Sequence, residues 1–223
     1  ISMRLNQFLA KHTVLSRRSA DEAIENGRVN INGRVATIGQ SMNESDVVTL
    51  DGDTIVLRST TTIILHKPVK TICSTTQQGN VPTVYSLLPD SLQHLSYLGR
   101  LDKDTSGLLI MSNDGDLIQS VTHPSHQVDK QYEVQLNKNL APQDRQTLQD
   151  GVELEDGPSI LKLSGKGRDW VVTIHEGRNR QIRRSFEALG YEISRLHRTT
   201  IGNLTLGNLK VGTFKEIAPE DVL

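Results

Sequence analysis

Residues 59–62 form a short run of small polar residues, and the pattern of the chain changes there. Before this run, apolar residues repeat at helical spacing and then alternate as in strands. After it, strand-like segments alternate with helical ones. A chain of 223 residues is long enough for two domains with separate cores. The pattern therefore predicts one domain over residues 3–58 and a second over residues 63–223.

The first domain has the pattern of two helices followed by a hairpin. The apolar spacing over residues 5–9 predicts the first helix. The second helix is predicted to begin with a capping box over residues 19–22 and to end at Gly27. The pair Asn32-Gly33 follows an alternating stretch, which predicts a tight hairpin turn.

Charge is divided unevenly within this first domain. Residues 4–34 carry six basic and three acidic side chains, whereas residues 35–58 carry one basic and four acidic ones. The whole chain has a net charge of −1, so the asymmetry is local. It indicates a surface that faces a polyanion, although two ordinary solvated faces explain the counts equally well.

The second domain has the pattern of a mixed sheet with helices. Apolar runs predict strands at residues 63–65, 108–111, 132–136 and 170–174. Apolar spacing predicts helices at residues 142–149 and 182–189, each followed by a glycine. The triplet Asn113-Asp114-Gly115 signals a turn. This mixed order predicts an α+β fold rather than a doubly wound α/β sheet.

Asp102 is the first candidate for chemistry. It precedes a polar loop that leads into the predicted strand at residues 108–111, so its carboxylate is rigidly supported yet exposed, as a nucleophile requires. Position alone favours a turn or capping aspartate. Asp104, two positions further on, leaves a hydrolase-type carboxylate pair open.

A cluster of four arginines is the second candidate. Arg178, Arg180, Arg183 and Arg184 fall within seven residues that contain no acid. A solvated helix face is the simpler interpretation. Phosphate or carboxylate ligands explain the absence of acids better, because a guanidinium binds both in a bidentate manner.

Several motifs of the first domain resemble the RNA-binding module named after small-subunit ribosomal protein four. They are Arg4-Leu5-Asn6, Ser16-Arg17-Arg18-Ser19-Ala20-Asp21, Gly27-Arg28-Val29 and Asn32-Gly33. In that family the second helix and the following loop contact RNA, which implies contacts from Ser16, Arg17, Arg18 and Arg28. Cations at a helix start suit phosphate oxygens, so the module is expected to anchor RNA rather than to choose a base.

The second domain resembles ribosomal RNA pseudouridine synthases of the small-subunit-uridine-synthase (RsuA-type) family, which carry such a module in front. The motifs are residues 99–109 (Gly-Arg-Leu-Asp-Lys-Asp-Thr-Ser-Gly-Leu-Leu), His66-Lys67-Pro68, residues 130–134, residues 177–184 and Arg195-Leu196-His197-Arg198. The resemblance covers essentially residues 3–223. One departure is Lys70, where the family usually has a glycine. The resemblance implies isomerisation of a uridine that is flipped out of its helix.

The resemblance also implies roles for individual residues. Asp102 would attack the sugar or stabilise its positive charge, and Arg183 would pair with Asp102 and keep it ionised. Tyr132 would stack on the uracil and could serve proton removal, while Leu196 would pack against the base. The remaining contacts to RNA in this domain would come from Arg100, Arg178, Arg180 and Arg184.

Three functions from different classes remain open on the sequence. The first is site-specific isomerisation of uridine in ribosomal RNA, with large-subunit (23S) RNA favoured over small-subunit (16S) RNA. The second is a non-catalytic RNA-binding or ribosome-assembly protein. The third is a glycosylase that releases uracil. An intact signature around Asp102 favours the first, because a binding protein has no need of that carboxylate.

Composition indicates the cellular location, cofactors and partners to expect. Cys73, the single cysteine, cannot form an internal disulfide, and the histidines show no metal-ligand spacing alongside it. No nucleotide-binding glycine loop is present, so we expect neither a metal nor a cofactor. No apolar run approaches the roughly 18–20 residues that span a bilayer, and no signal peptide is apparent before or after Met3, the expected natural start. We therefore expect a cytoplasmic monomer whose partner is ribosomal RNA or a pre-ribosomal particle.

Overall fold

The computed structural model describes residues 2–123 and 126–222. Two helices of the first unit are α1 (Leu5–His12) and α2 (Arg17–Glu25). Its strands are β1 (Met3–Arg4), β2 (Val29–Ile31), β3 (Arg34–Val35), β4 (Ser41–Met42), β5 (Val48–Leu50) and β6 (Asp53–Thr54). They pair in the order β3-β2-β5-β6, with β1 against β4. One face of each helix packs on this small sheet through a separate apolar cluster.

The start of α2 differs from the sequence prediction. The capping box is wrong as placed at residues 19–22, because Ser16 caps the helix and Ser19 closes the box. Ser16 Oγ accepts from the backbone N–H of Ser19 at 3.1 Å, and Ser19 Oγ accepts from the N–H of Ser16 at 2.8 Å. Asp21 instead accepts from Asn6 Nδ2, which ties α2 to α1. The predicted hairpin is confirmed, with Asn32 and Gly33 both at positive φ.

A mixed sheet forms the centre of the second unit. The strands of this unit are β7 (Thr62–Lys67), β8 (Ser96–Leu98), β9 (Ser106–Ser112), β10 (Lys130–Leu136), β11 (Val152–Leu154), β12 (Gly157–Ser159), β13 (Lys162–Lys166), β14 (Asp169–Ile174), β15 (Ile193–Ile201), β16 (Leu204–Thr205) and β17 (Phe214–Ile217). The sheet order is β13-β14-β10-β15-β9-β7-β17, with β8 on β9 and β16 on β15, while β11 and β12 form a separate hairpin. The predicted α+β class with a mixed sheet is confirmed.

Three helices flank the sheet: α3 (Gly115–Thr122), α4 (Pro142–Asp150) and α5 (Gln181–Glu187). The predicted helix at residues 142–149 is confirmed, and the one at residues 182–189 is found at residues 181–187, so that it begins one residue earlier and ends two residues earlier. The turn predicted at residues 113–115 is the start of α3, because Asp114 accepts hydrogen bonds from the backbone N–H groups of Asp116 and Leu117. The two faces of the sheet bury separate apolar clusters, one against α4 and α5 and the other against α3.

One parallel contact joins the two antiparallel halves of this sheet. β9 and β15 pair over two positions, His197 with Ser106 and Arg198 with Gly107. A Cβ on Gly107 would lie 2.1 Å from the carbonyl oxygen of Arg198, and the residue has φ 115°. Only glycine permits so close an approach in that conformation.

The predicted linker is hydrogen-bonded to the second unit. Asn113 donates from Nδ2 to the carbonyl of Ser59 at 2.9 Å and accepts the N–H of Thr61 at 2.7 Å. Thr62, the last residue of the predicted linker, already belongs to β7. On the other side, the N–H of Arg58 donates to His12 Nδ1 of α1 at 2.8 Å. None of the helices in the described part of the chain is long and apolar enough to cross a membrane.

We expect Gly107→Ala to lose more than about 4 kcal/mol of unfolding free energy, because the new methyl group must separate β9 from β15. Gly207→Ala is the matched control, since Gly207 also has positive φ but no atom within 4 Å of its would-be Cβ. That variant should lose only about 1 kcal/mol. Thermal unfolding of both variants measures the difference, and equal losses would show that the close approach is not required.

Candidate active site

A cavity of about 300 Å³ opens beside the parallel contact. Its walls come from residues 99–105, here called the Asp102 loop, from β10, β14 and β15, and from the segment that enters α5. The expected site residues that line it are Asp102, Tyr132, Arg183, Leu196, Arg100, Arg178 and Arg180. Its volume is at the lower end of small-ligand pockets, which fits a single flipped nucleoside.

A buried lysine fixes the backbone of the Asp102 loop. Lys67, at the end of β7, is fully buried, and its Nζ donates to the carbonyl oxygens of Pro68, Asp102 and Thr105 at 3.0, 3.0 and 2.8 Å. The carbonyl of Asp102 also accepts the N–H of Thr105 at 3.1 Å, which closes a turn. The lysine therefore binds the backbone of the turn and leaves the side chain of Asp102 unoccupied.

The backbone of Lys70 also supports the Asp102 loop. It adopts the left-handed conformation, with φ 63°, and its N–H donates to the carbonyl of Lys103 at 2.7 Å. The backbone thus takes the form that a glycine would favour, although a lysine stands there. The departure from the family pattern does not change how this loop is held.

Arg183 holds the Asp102 loop from above. It is buried in α5 and donates to the carbonyl oxygens of Ile193 at 3.2 Å and Asp104 at 3.0 Å. The expected ion pair between Arg183 and the carboxylate of Asp102 is not formed; the guanidinium acts on the loop backbone instead. Both Arg183 and Lys67 still interact electrostatically with Asp102.

The carboxylate of Asp102 has no hydrogen-bond or ion-pair partner among the described residues. Asp104 is exposed and does not line the cavity, so its carboxylate is not half of a catalytic pair there. A carboxylate that lies near two cations and faces an open cavity can bond to, or stabilise charge on, a sugar carbon.

Tyr132 forms the aromatic wall of the cavity. It lies in β10 opposite Arg198 of β15, whose Nη1 lies 3.4 Å from the tyrosine oxygen and donates to it. The guanidinium carbon of Arg198 is 5.9 Å from the ring centroid, and its Nε donates to the carbonyl of Leu108 at 2.8 Å. Arg198 thus fixes the ring relative to β9, while Leu196, Ile174 and Ile182 supply the apolar walls.

The arginine cluster is not free of acids in the folded protein. The sequence analysis left phosphate or carboxylate ligands open for this cluster, and Asp156, in the turn between β11 and β12, is a carboxylate that binds both Arg178 and Arg184. Arg184 is also absent from the cavity walls. Arg180 lies 3.9 Å from Glu187 and keeps an exposed guanidinium at the cavity. Arg100 is exposed there without an ion-pair or hydrogen-bond partner among the described residues.

The arginines of the first unit lie outside this cavity. Arg17 and Arg18 are exposed at the start of α2. A Cβ added at Gly115, at the start of α3, would lie 3.5 Å from a guanidinium nitrogen of Arg17. Arg28 is occupied by a bidentate pair with Asp51, at 2.8 and 2.5 Å, so it is less available to phosphate than expected.

Three residues of the site had no assigned role on the sequence. Lys67 and Arg198 belong to the motifs quoted above. The position of Lys67 at the end of an apolar strand was the sequence signal that could have indicated its role. Cys73 accepts the N–H of Leu101 at 3.5 Å, and burial raises the pKa of its thiol, which keeps it neutral beneath the loop. No group of three His, Cys, Asp or Glu side chains suited to a metal occurs in residues 2–123 and 126–222.

This arrangement of sheet, loop and cavity corresponds to one class of enzyme. Residues 61–188 match the RNA pseudouridylate synthase family, and residues 3–48 match the S4 domain, the ribosomal-protein-four-type module. The chain belongs to the RNA pseudouridylate synthase family, in its RsuA-type branch with an N-terminal S4 domain. It is an isomerase that acts on RNA.

Individual relatives span nearly the whole chain. Ribosomal large subunit pseudouridine synthase B of Bacillus subtilis is 34% identical, with 98% of this chain and 93% of that protein covered. Dual-specificity RNA pseudouridine synthase RluF of Escherichia coli K12 is 33% identical, with 100% and 78% covered. A solved pseudouridylate synthase is 29% identical and superimposes with a TM-score of 0.72, covering 99% of this chain and 98% of its own.

The buried lysine predicts a pH effect on stability. Burial lowers the pKa of Lys67 from 10.5 to about 8. Between these values the unfolded chain binds more protons at this residue than the folded one. The free energy of unfolding therefore increases as the pH rises. We expect the difference in stability between wild type and Lys67→Met, from urea unfolding, to increase from about pH 8 to pH 10.5. A constant difference would contradict the lowered pKa, because all other groups are common to both proteins.

Proposed function

We propose that this protein isomerises a specific uridine of large-subunit (23S) ribosomal RNA to pseudouridine. The observation that carries the proposal is the carboxylate of Asp102, which faces a nucleoside-sized cavity without a hydrogen-bond or ion-pair partner among the described residues. Large-subunit RNA is favoured because ribosomal large subunit pseudouridine synthase B is among the relatives. Small-subunit (16S) RNA is the alternative substrate.

Each residue of the cavity has its own role in the proposed reaction. The target base flips into the cavity between Tyr132 and the apolar wall that includes Leu196. Asp102 bonds to the sugar or stabilises its positive charge while the bond from the anomeric carbon to N1 breaks. The base turns, carbon 5 bonds to the same anomeric carbon, the proton leaves carbon 5 with Tyr132 as the candidate base, and N1 takes up a proton. The product is an isomer of the uridine, so the overall reaction requires no oxidant and no second substrate.

The S4 domain supplies anchorage. Arg17 and Arg18 are exposed at the start of α2, where cations and free amides together suit phosphate oxygens. We place the domain boundaries at residues 3–58 and 63–223, supported by an apolar cluster in the first unit that shares no residue with those of the second. We also propose that the protein acts as a monomer without a cofactor and meets its RNA in the cytoplasm.

Asp102→Asn should abolish conversion, by more than about a thousandfold, because the amide can neither bond to the sugar nor carry the compensating charge. Affinity for RNA should change by less than about threefold. Tritium release from carbon 5 of labelled ribosomal RNA measures the rate. Asp104→Asn is the matched control and should retain activity, since this side chain is exposed outside the cavity. Turnover of the Asp102 variant within tenfold of wild type would exclude this assignment.

Arg17→Gln combined with Arg18→Gln should weaken binding of ribosomal RNA and make its salt dependence shallower. Each lost phosphate contact lowers the log–log slope by roughly 0.7 to 0.9. The single-turnover rate at saturating RNA should be unchanged, because the cavity is distant in sequence and built from other elements. Arg34→Gln removes the same charge from the exposed β2–β3 hairpin and serves as control. An unchanged slope in the double variant would show that α2 is not the anchor.

A further inference from the structure

The turn between β11 and β12 lies between two guanidinium groups. Arg184 donates from Nη1 and Nη2 to the two carboxylate oxygens of Asp156, at 2.9 and 2.8 Å. Arg178 donates to Asp156 Oδ1 at 3.0 Å and to the carbonyl oxygens of Asp156, Gly157 and Pro158 at 3.1, 2.9 and 2.8 Å. We call these three residues, Arg178, Arg184 and Asp156, the arginine clasp.

The clasp occupies the terminal nitrogens of both guanidinium groups, while Nε of Arg178 is buried without a hydrogen-bond partner among the described residues. Arg178 also meets Glu176 at 3.3 Å, and Arg184 donates from Nε to the carbonyl of Asn179 at 2.8 Å. Both side chains are largely buried by these contacts, with 20% and 27% of their surface exposed. The hydrogen bond from Arg184 is also the main reason that the pKa of Asp156 lies below its ordinary value, so the pair is ionised at neutral pH.

The clasp fixes the segment from residue 177 to residue 180, which connects β14 to α5. Its members Asn179 and Arg180 line the cavity. Arg180 caps α5 in the left-handed conformation, at φ 48° and ψ 29°, which is costly for a non-glycine residue and must be imposed by its surroundings. Gln181, the first residue of α5, is held to the same hairpin by its bond to Ser159 Oγ at 3.1 Å.

Neutralisation is the second effect of the clasp. Without Asp156, Arg184 would have no ion-pair partner among the described residues and Arg178 would keep only Glu176, so guanidinium groups released beside the cavity would bind RNA phosphate. With it, Arg180 and Arg100 are the guanidiniums still exposed at the cavity among the described residues. The charge presented to RNA is thus limited to positions next to the flipped base.

We propose that Asp156 is a positioning residue of the isomerase. It acts through Arg178 and Arg184, holds the segment 177–180 in shape for the target RNA, and withholds both arginines from phosphates of other RNA. The inference rests on the proposed function only where the test measures KM and kcat. The measurement of RNA binding requires no turnover and does not depend on that function.

The experiment compares Asp156→Asn, Arg184→Met and Glu153→Gln in the full chain. Glu153 is the matched control, since it lies on the same hairpin, carries the same charge and contacts no arginine. The probes are an unmodified transcript of large-subunit ribosomal RNA and a uridine-free RNA hairpin. For Asp156→Asn we expect KM to rise about tenfold with kcat within about twofold. Binding of the uridine-free hairpin should tighten and its salt slope steepen by roughly 0.7 to 0.9 per released guanidinium.

Arg184→Met separates the clasp from a direct RNA contact. The clasp predicts a similar rise in KM and an unchanged salt slope, because this arginine does not meet RNA in the wild type. A slope that becomes shallower in Arg184→Met, with KM unchanged in Asp156→Asn, would overturn the proposal. A loss of kcat in Asp156→Asn with an unaltered slope would also overturn it, since that describes a merely loosened fold.

Two further comparisons keep the test decisive. If Asp156→Asn does not fold, Arg184→Lys replaces it: the charge remains, but one ammonium cannot bind both Asp156 and the carbonyl of Asn179, so KM should rise without a change in slope. Wild-type protein that forms no pseudouridine in the transcript would contradict the proposed substrate. The salt dependence of binding to the uridine-free RNA hairpin would still test the role of the clasp.

Discussion

The close approach of β9 and β15 at Gly107 is the contact on which the active site depends. It joins the two antiparallel halves of the sheet through the one parallel pairing in the described sheet, and a Cβ at that glycine would meet the backbone of Arg198. The Asp102 loop enters β9 directly before this contact, and Tyr132 faces it from β10. The carboxylate of Asp102, the aromatic wall and the apolar wall are therefore neighbours because the backbones of two strands pack closely together.

Cations hold the Asp102 loop through its backbone rather than through its carboxylate. Lys67 binds the carbonyl oxygens of Pro68, Asp102 and Thr105 from one side, and Arg183 binds that of Asp104 from the other. Direct ion pairs would occupy the carboxylate of Asp102. Binding the carbonyls instead fixes the loop and places two cations near the carboxylate, which keeps no hydrogen-bond or ion-pair partner among the described residues.

Local patterns in the sequence predicted part of the fold, and long-range contacts account for the differences. Alternation and turn residues were sufficient for the hairpin at Asn32 and for β7, β9, β10 and β14, but not for the remaining strands of the sheet. Family motifs indicated Asp102 and Tyr132. The partner of the arginine cluster was not predictable, because Asp156 lies 28 positions before Arg184 and meets it only when β11 and β12 fold onto α5. Spacing could not place Arg180 either, because this residue is left-handed and precedes α5.

The spacing of the parallel pair along the chain has a consequence for how the enzyme matures. Ser106 and His197, which pair and whose side chains are hydrogen-bonded, are 91 positions apart. Contacts of such high sequence separation slow folding, because a large loop must close before they form. During synthesis the S4 domain can fold as soon as it emerges, while the cavity must wait for the nascent chain to extend past β15. An RNA-binding segment thus exists before the catalyst does, and the chain can be held at an RNA surface before it is able to modify it.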